Sequence, residues 1–224
     1  MKVRVSQLQA GLAEMEIKAE PLRYIVCVNS DLLADASFPL ENWIMRKVAE
    51  GFRNAVSASI IGGDGLGKPL GILNPGAGIP ILDTSPSTPE GVCTWQDLLM
   101  LKFELPISWH GGASWYMNQR TWALLASMSD AIGRPLWSQP PGGLPGLWLL
   151  GSPVNIVTQF PDCLPGNCPI LFANLKQLYI TVVRSAMSLQ PDPYTAQWCQ
   201  LFRFEQRIGG GIACPNAGRL LRIK

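Results

Sequence analysis

Residues 38–61 of this 224-residue chain carry an apolar ladder at spacing four, Ile44, Val48, Phe52, Val56 and Ile60, and no other feature limits the fold so strongly. A strict four-residue repeat drifts around a helix of 3.6 residues per turn. Trp43, Ala55 and Ser59 correct that drift, leaving one apolar stripe opposite Glu41, Arg46, Lys47, Glu50, Arg53 and Asn54. Ser37 is placed as the N-cap with Pro39 in the first turn, and Gly62 and Gly63 as a left-handed stop. About 24 residues at a rise of ~1.5 Å span roughly 36 Å, whereas a compact chain of this length has a radius of gyration of only ~17 Å. The sequence therefore predicts an elongated subunit crossed by one rod.

The glycine-rich run that follows, Gly62 to Leu73, scans as a phosphate-binding loop: Gly62, four residues, Gly67, Lys68. Such loops follow a strand and open a helix, whereas this one closes a helix. The position that should hold a Mg²⁺-ligating Ser or Thr is Pro69, which has neither hydroxyl nor N–H. A fixed turn is expected instead, with the Asp64 carboxylate accepting backbone N–H bonds.

With 47% hydrophobic and 15% charged residues the chain is not disordered, and it is long enough for one large domain or two small ones. A net charge of +2 gives no argument for nucleic-acid binding by itself. Arg203, Arg207, Arg219, Arg222 and Lys224 against Glu205 make a modest basic tail, read as a solvated rim or a subunit contact. Met1–Ala10 lacks the apolar core of a secretory signal, and no run approaches the ~18 apolar residues of a membrane span. The six cysteines are scattered, mostly in apolar segments, and are read as reduced core thiols of a cytosolic protein. Cys163 and Cys168 alone lie close in sequence, and whether they pair is left open. Two thiols do not make a zinc site.

Elsewhere the patterning predicts strands at 14–19 and 23–28, the second apolar on both faces and so well buried. Asn29, Ser30 and Asp31 cap a short helix at 32–36. Residues 74–90 are proline-rich and read as a linker. Thr94 caps a helix to 101–104, 113–117 is a strand and Asn118 starts another helix. Residues 130–151 read as an irregular loop. Strands follow at 153–158, 169–173 and 177–183. A long strand covers 194–212, with Trp198, Gln200, Phe202 and Phe204 on one side and a break or bulge at Gly209–Gly211, and residues 220–223 complete the sheet. The order is α+β with long crossovers.

Chemistry is sparse. His110 is the only histidine and is read as structural. The carboxylates are dispersed, and Glu205, in an apolar strand, is expected to pair with a neighbouring arginine. No nucleophile, base and orienting group stand at a recognisable spacing. An enzyme is disfavoured, and no catalytic, cofactor-binding or metal-binding residue is assigned.

Several spaced segments together resemble the major capsid proteins of tailed bacteriophages, the Hong Kong 97-like fold. They are Val26 to Leu33 (VCVNSDLL), the long helix 38–61, Gly63 to Leu73 (GDGLGKPLGIL), Trp115 to Asn118, Trp122 to Leu125, Asp130 to Leu136 (DAIGRPL), Leu150 to Val154, Ile170 to Leu175, Tyr179-Ile180 and the strands around Arg203 to Arg207. Their order, from about Leu22 to Lys224, carries the likeness. The resemblance implies a spine helix and long sheet in a peripheral domain (1–75 and 186–224) and an axial domain (76–185). It implies self-assembly into hexamers and pentamers of an icosahedral virion shell, built in a bacterial host's cytoplasm, without membrane contact. Scaffold, portal and decoration proteins and packaged DNA are the further partners it implies. Exposed apolar side chains at subunit contacts would account for eight tryptophans. Relatives carry an N-terminal arm and a long two-stranded loop, of which only the return strand is expected here. Some crosslink a loop Lys to an Asn with help from a Glu. Glu205 falls near that Glu, but Trp198 stands where the Asn would be, so crosslinking is not implied. Two rivals stand beside this reading: an encapsulin-like compartment shell and a nucleotide-binding hydrolase using 62–68.

Overall fold

The computed structural model describes residues 16–35, 37–86, 91–128 and 146–224. The segment 130–136 and most of the expected loop 130–151 lie outside them. So does the start of the expected strand 14–19, whose described part, residues 16–19, is not strand.

Strand β1 (Glu20–Asn29) leads through helix α1 (Ser30–Asp35) into α2 (Leu40–Gly62), 23 residues long. The Asn29 side chain accepts from the Asp31 N–H at 3.0 Å, which starts α1 two residues earlier than the sequence suggested. In α2 the ladder does what its spacing demands: Ile44, Val48 and Phe52 are buried against Val28, Phe202 and Phe204. Each such burial contributes about 1.5–3 kcal/mol. Ser37 is not the cap. The helix begins after Pro39, whose carbonyl accepts from Trp43 N–H at 3.2 Å with no side-chain cap.

The stop also differs from expectation. Gly62 is the last helical residue and Gly63 is extended (φ −65°, ψ 147°), not left-handed. Glycine is needed at 63 because a Cβ there would lie 2.0 Å from the Pro69 carbonyl oxygen and 2.4 Å from that of Ser59. The positive φ angles fall two and four residues later, at Gly65 (80°) and Gly67 (67°). The chain then returns over the helix end. Gly71, Ile72 and Leu73 donate their N–H groups to the carbonyls of Gly63, Ile60 and Ile61 at 2.9, 2.8 and 2.8 Å. Carbonyls that a helix terminus leaves without partners are thereby satisfied.

Strand β2 (Ile81–Asp83) interrupts the expected linker. Helix α3 (Trp95–Glu104) opens with a capping box in which Thr94 and Asp97 bond each other's backbone N–H. A short α4 (Ile107–His110), β3 (Ser114–Met117) and α5 (Gln119–Ala126) follow, the last capped by Asn118. Strands β4 (Leu147–Leu149) and β5 (Ser152–Ile156) come next, β4 inside the expected loop. Strand β6 (Ile170–Ala173) is buried along its whole length. A helical turn α6 (Leu175–Leu178) takes the place of the expected strand start at 177. Strand β7 (Tyr179–Asp192) then runs far past residue 183, β8 (Cys199–Ile212) starts later than 194, and β9 (Gly218–Arg222) ends the sheet.

The strands form two sheets, β1-β8-β7 and β2-β9-β6-β3-β5-β4. Strand β1 pairs antiparallel with β8 from Glu20↔Ile208 to Asn29↔Cys199. It is not buried on both faces. Leu22, Val26 and Val28 pack toward α2, while Ile25 and Cys27 are exposed, because the helix covers only one side. The register shifts lie in β7, between Val183 and Ser188, and β8 passes Gly209–Gly211 unbroken. Glycine is required in β8 by closeness: a Cβ on Gly209 would meet the backbone carbonyl oxygen of Lys18 at 2.4 Å. One core lies on one side of the six-stranded sheet around Trp115, Leu98, Leu101 and Phe172, and another gathers Leu171, Leu178 and Leu220 with Ile61. Helix α2 thus enters a second core at its C-terminal end.

Candidate assembly surface

The sequence candidates for chemistry are all held in structural contacts. His110 Nε2 lies 2.9 Å from the Leu105 carbonyl, and its ring meets Phe172 edge-on at 5.9 Å. Asp64 accepts from Leu66 N–H at 3.0 Å and pairs with Lys68 at 3.3 Å. The Leu66 bond first, and then Lys68, hold the Asp64 carboxyl below the usual range. The phosphate-loop reading therefore meets a loop that is already closed. Its Lys68 faces Asp64, and the N–H groups of residues 70–73 point at the protein's own carbonyls.

Glu205 takes the arginine partnership expected of it. On β8 it sits 3.3 Å from Arg23 of β1 and 3.4 Å from Arg207, and the Arg23 bond chiefly holds its carboxyl low. All six cysteines are free thiols, which resolves the Cys163–Cys168 question. Burial pushes the Cys93, Cys163 and Cys168 thiols up, as desolvation disfavours a thiolate. Cys27 is exposed, against the reading of core thiols, and the Cys199 thiol beside it raises its pKa.

What the chain presents to its surroundings is apolar. The tip joining β7 to β8 carries Tyr194 at 94% exposure and Trp198 at 81%. Trp198 was expected within the long strand, on the same side as Gln200, Phe202 and Phe204. Instead it lies just before β8, with a left-handed φ of 62° that turns its ring outward. The tip is a built turn. Asp192 accepts from the N–H groups of Tyr194 and Thr195 at 3.1 Å, from the Thr195 hydroxyl at 2.6 Å and from Arg203 at 2.7 Å. Along β1, an edge strand of the same sheet, an open groove of about 410 Å³ runs between that strand and α2. Leu22, Val26, Trp43, Val48 and Phe52 line it, with Arg23 and Lys47 beside them. Neither tip nor groove was foreseen. The one available signal was Trp43 on the flank of the ladder, where a core helix needs no indole. Phe103 and Ile107 are exposed as well.

The chain belongs to the phage capsid family, whose profile matches residues 4–223. The capsids of empty and native GTA particles, both computed with C5 symmetry, are 27% and 26% identical to it. Each match covers 99% of this chain and 81% of the other, with a TM-score of 0.84. A Gordonia phage Cozz structure matches at 14% identity and TM-score 0.65 over 100% of this chain and 78% of its own. The holo-SrpI encapsulin complex from Synechococcus elongatus matches at 14% and 0.69 over 91% and 73%, a likeness of fold alone. No curated protein sequence matches significantly. The chain is a structural major capsid protein with the Hong Kong 97-like fold.

Proposed function

We propose that the chain closes into five- and six-membered capsomers of a shell that encloses DNA, and that it does so without catalytic turnover. The observation that supports this most is the 99% coverage, at 27% identity, by the capsid of a particle computed with C5 symmetry. The 1–75 and 186–224 segments make the peripheral domain around α2 and the three-stranded sheet. Residues 76–185 make the axial one, joined by Gly218–Arg222 through the pairing of β9 with β6. Portal, scaffold and decoration proteins complete the particle, which is assembled in the host cytoplasm. The exposed basic side chains Arg46 and Arg53 of α2 suit non-specific contact with packaged phosphates. The higher identity to GTA capsids favours this reading over an encapsulin-like compartment.

The test is electron microscopy and sedimentation of the concentrated protein with and without DNA. Closed shells or capsomer rings are expected, whereas a chain that stays monomeric across all conditions overturns autonomous assembly.

A further inference from the structure

We propose that the Trp198 tip of one copy seats in the groove between β1 and α2 of a neighbouring copy, an inference that rests on the capsid reading. Four observations meet in it. First, Trp198 holds φ at 62°, a conformation costly for a bulky residue and ordinary for glycine, yet it stands 81% exposed, with little burial to offset the cost. Second, the tip is fixed before any encounter, because one carboxylate, Asp192, gathers two backbone N–H groups, a hydroxyl and a guanidinium. A preformed knob loses little freedom on docking.

Third, the groove is apolar, open among the described residues and about 410 Å³, room for an indole with part of a second ring. Its flanking Arg23 and Lys47 are tied to Glu205 at 3.3 Å and Glu50 at 3.0 Å, so the groove receives the ring through its apolar walls. Fourth, knob and groove stand apart within one molecule. The β1–β8 register ends at Asn29↔Cys199, with Trp198 beyond it, while Val26 pairs back at Phe202. At ~3.3 Å per residue that places the tip roughly 13 Å past the Val26 pair along the strand. Two different patches of one chain that fit each other only between copies make a head-to-tail contact, the type that closes into rings.

Three variants and a crosslink test this in the full chain. Trp198→Ala removes the knob. Gly51→Leu fills the groove from α2, where a Cβ at position 51 has nothing within 4 Å. Each is expected to raise the concentration for half-assembly at least about tenfold, as loss of an aromatic anchor does. Trp198→Gly should weaken assembly equally while raising the monomer's Tm, since it relieves the left-handed residue. A merely structural tryptophan would not give those opposite signs. Benzoylphenylalanine at position 198, irradiated in a mixture of isotope-labelled and unlabelled protein, should join peptides of 22–26 or 43–55 on the other chain. Crosslinks only to other segments, or assembly of Trp198→Ala at the wild-type concentration, overturn the contact while leaving the capsid reading intact. A wild-type chain that never associates sinks both.

Discussion

The guanidinium of Arg23 and the carboxylate of Glu205 stand 3.3 Å apart at directly opposed positions of β1 and β8. A cross-strand pair of opposite charges supports its sheet modestly and registers it. Because Arg23, and then Arg207, lower the folded-state pKa of Glu205, the contribution is complete above the unfolded value of about 4.3. It is lost as pH falls through the depressed folded value. Glu205→Gln should therefore lower Tm slightly at pH 7 and converge on the wild type as pH falls through the depressed folded value. Thermal unfolding across pH reads it, and 1 M salt should shrink the pH 7 difference.

The turn after α2 depends on one missing methyl. Gly63→Ala places a Cβ 2.0 Å from the Pro69 carbonyl oxygen, backbone that cannot step aside, and should cost about 3 kcal/mol or more. Gly51→Ala, inside α2 and facing open space, should stabilise by about 0.5–1 kcal/mol through helix propensity. Urea unfolding of dissociated protein measures both, and equal effects would refute the packing argument.

Asn118 separates capping from clamping. Its Oδ1 accepts from Thr121 N–H at 2.7 Å, while Nδ2 donates to the carbonyls of Phe160 and Pro161 and to the Asp162 carboxylate. Asn118→Ala loses everything and should cost about 2–3 kcal/mol. Asn118→Asp keeps the cap but faces Asp162 with a like charge. Its deficit should shrink on acidification, where the alanine variant's does not.

Thiol labelling should order the cysteines by access. Cys27 reacts first with a maleimide, although the neighbouring Cys199 thiol raises its pKa and slows it below an isolated surface thiol. Cys93 is buried and should react only on unfolding, at least about a hundredfold more slowly. Mass mapping after brief exposure gives the order directly.

How much was legible in the sequence follows from which interactions are local. The ladder from Ile44 to Phe52, the Thr94 cap and the helix start at Asn118 are set within one or two turns of chain, and the patterning revealed them, though not the reciprocal bond from Asp97. The left-handed stop failed because Gly63 answers to Pro69, a contact that exists only after the loop folds back. The length of β7 was hidden because its irregular register between Val183 and Ser188 breaks the two-residue alternation. Trp198 was misplaced since alternation alone made it continuous with Phe202, and nothing in composition announces a positive φ at a tryptophan. The groove was invisible for a related reason: it is a gap between two elements distant in sequence.

The hydrogen bonds from Ile72 and Leu73 back to Ile60 and Ile61 weld the end of α2 to the core that holds Leu171 and Leu220. Flexure at that joint would tear backbone bonds and packed side chains together, so the spine behaves as a stiff lever cast in one piece with the larger sheet. A container made of such parts would change its girth by pivoting at the seams between subunits, leaving each part unbent.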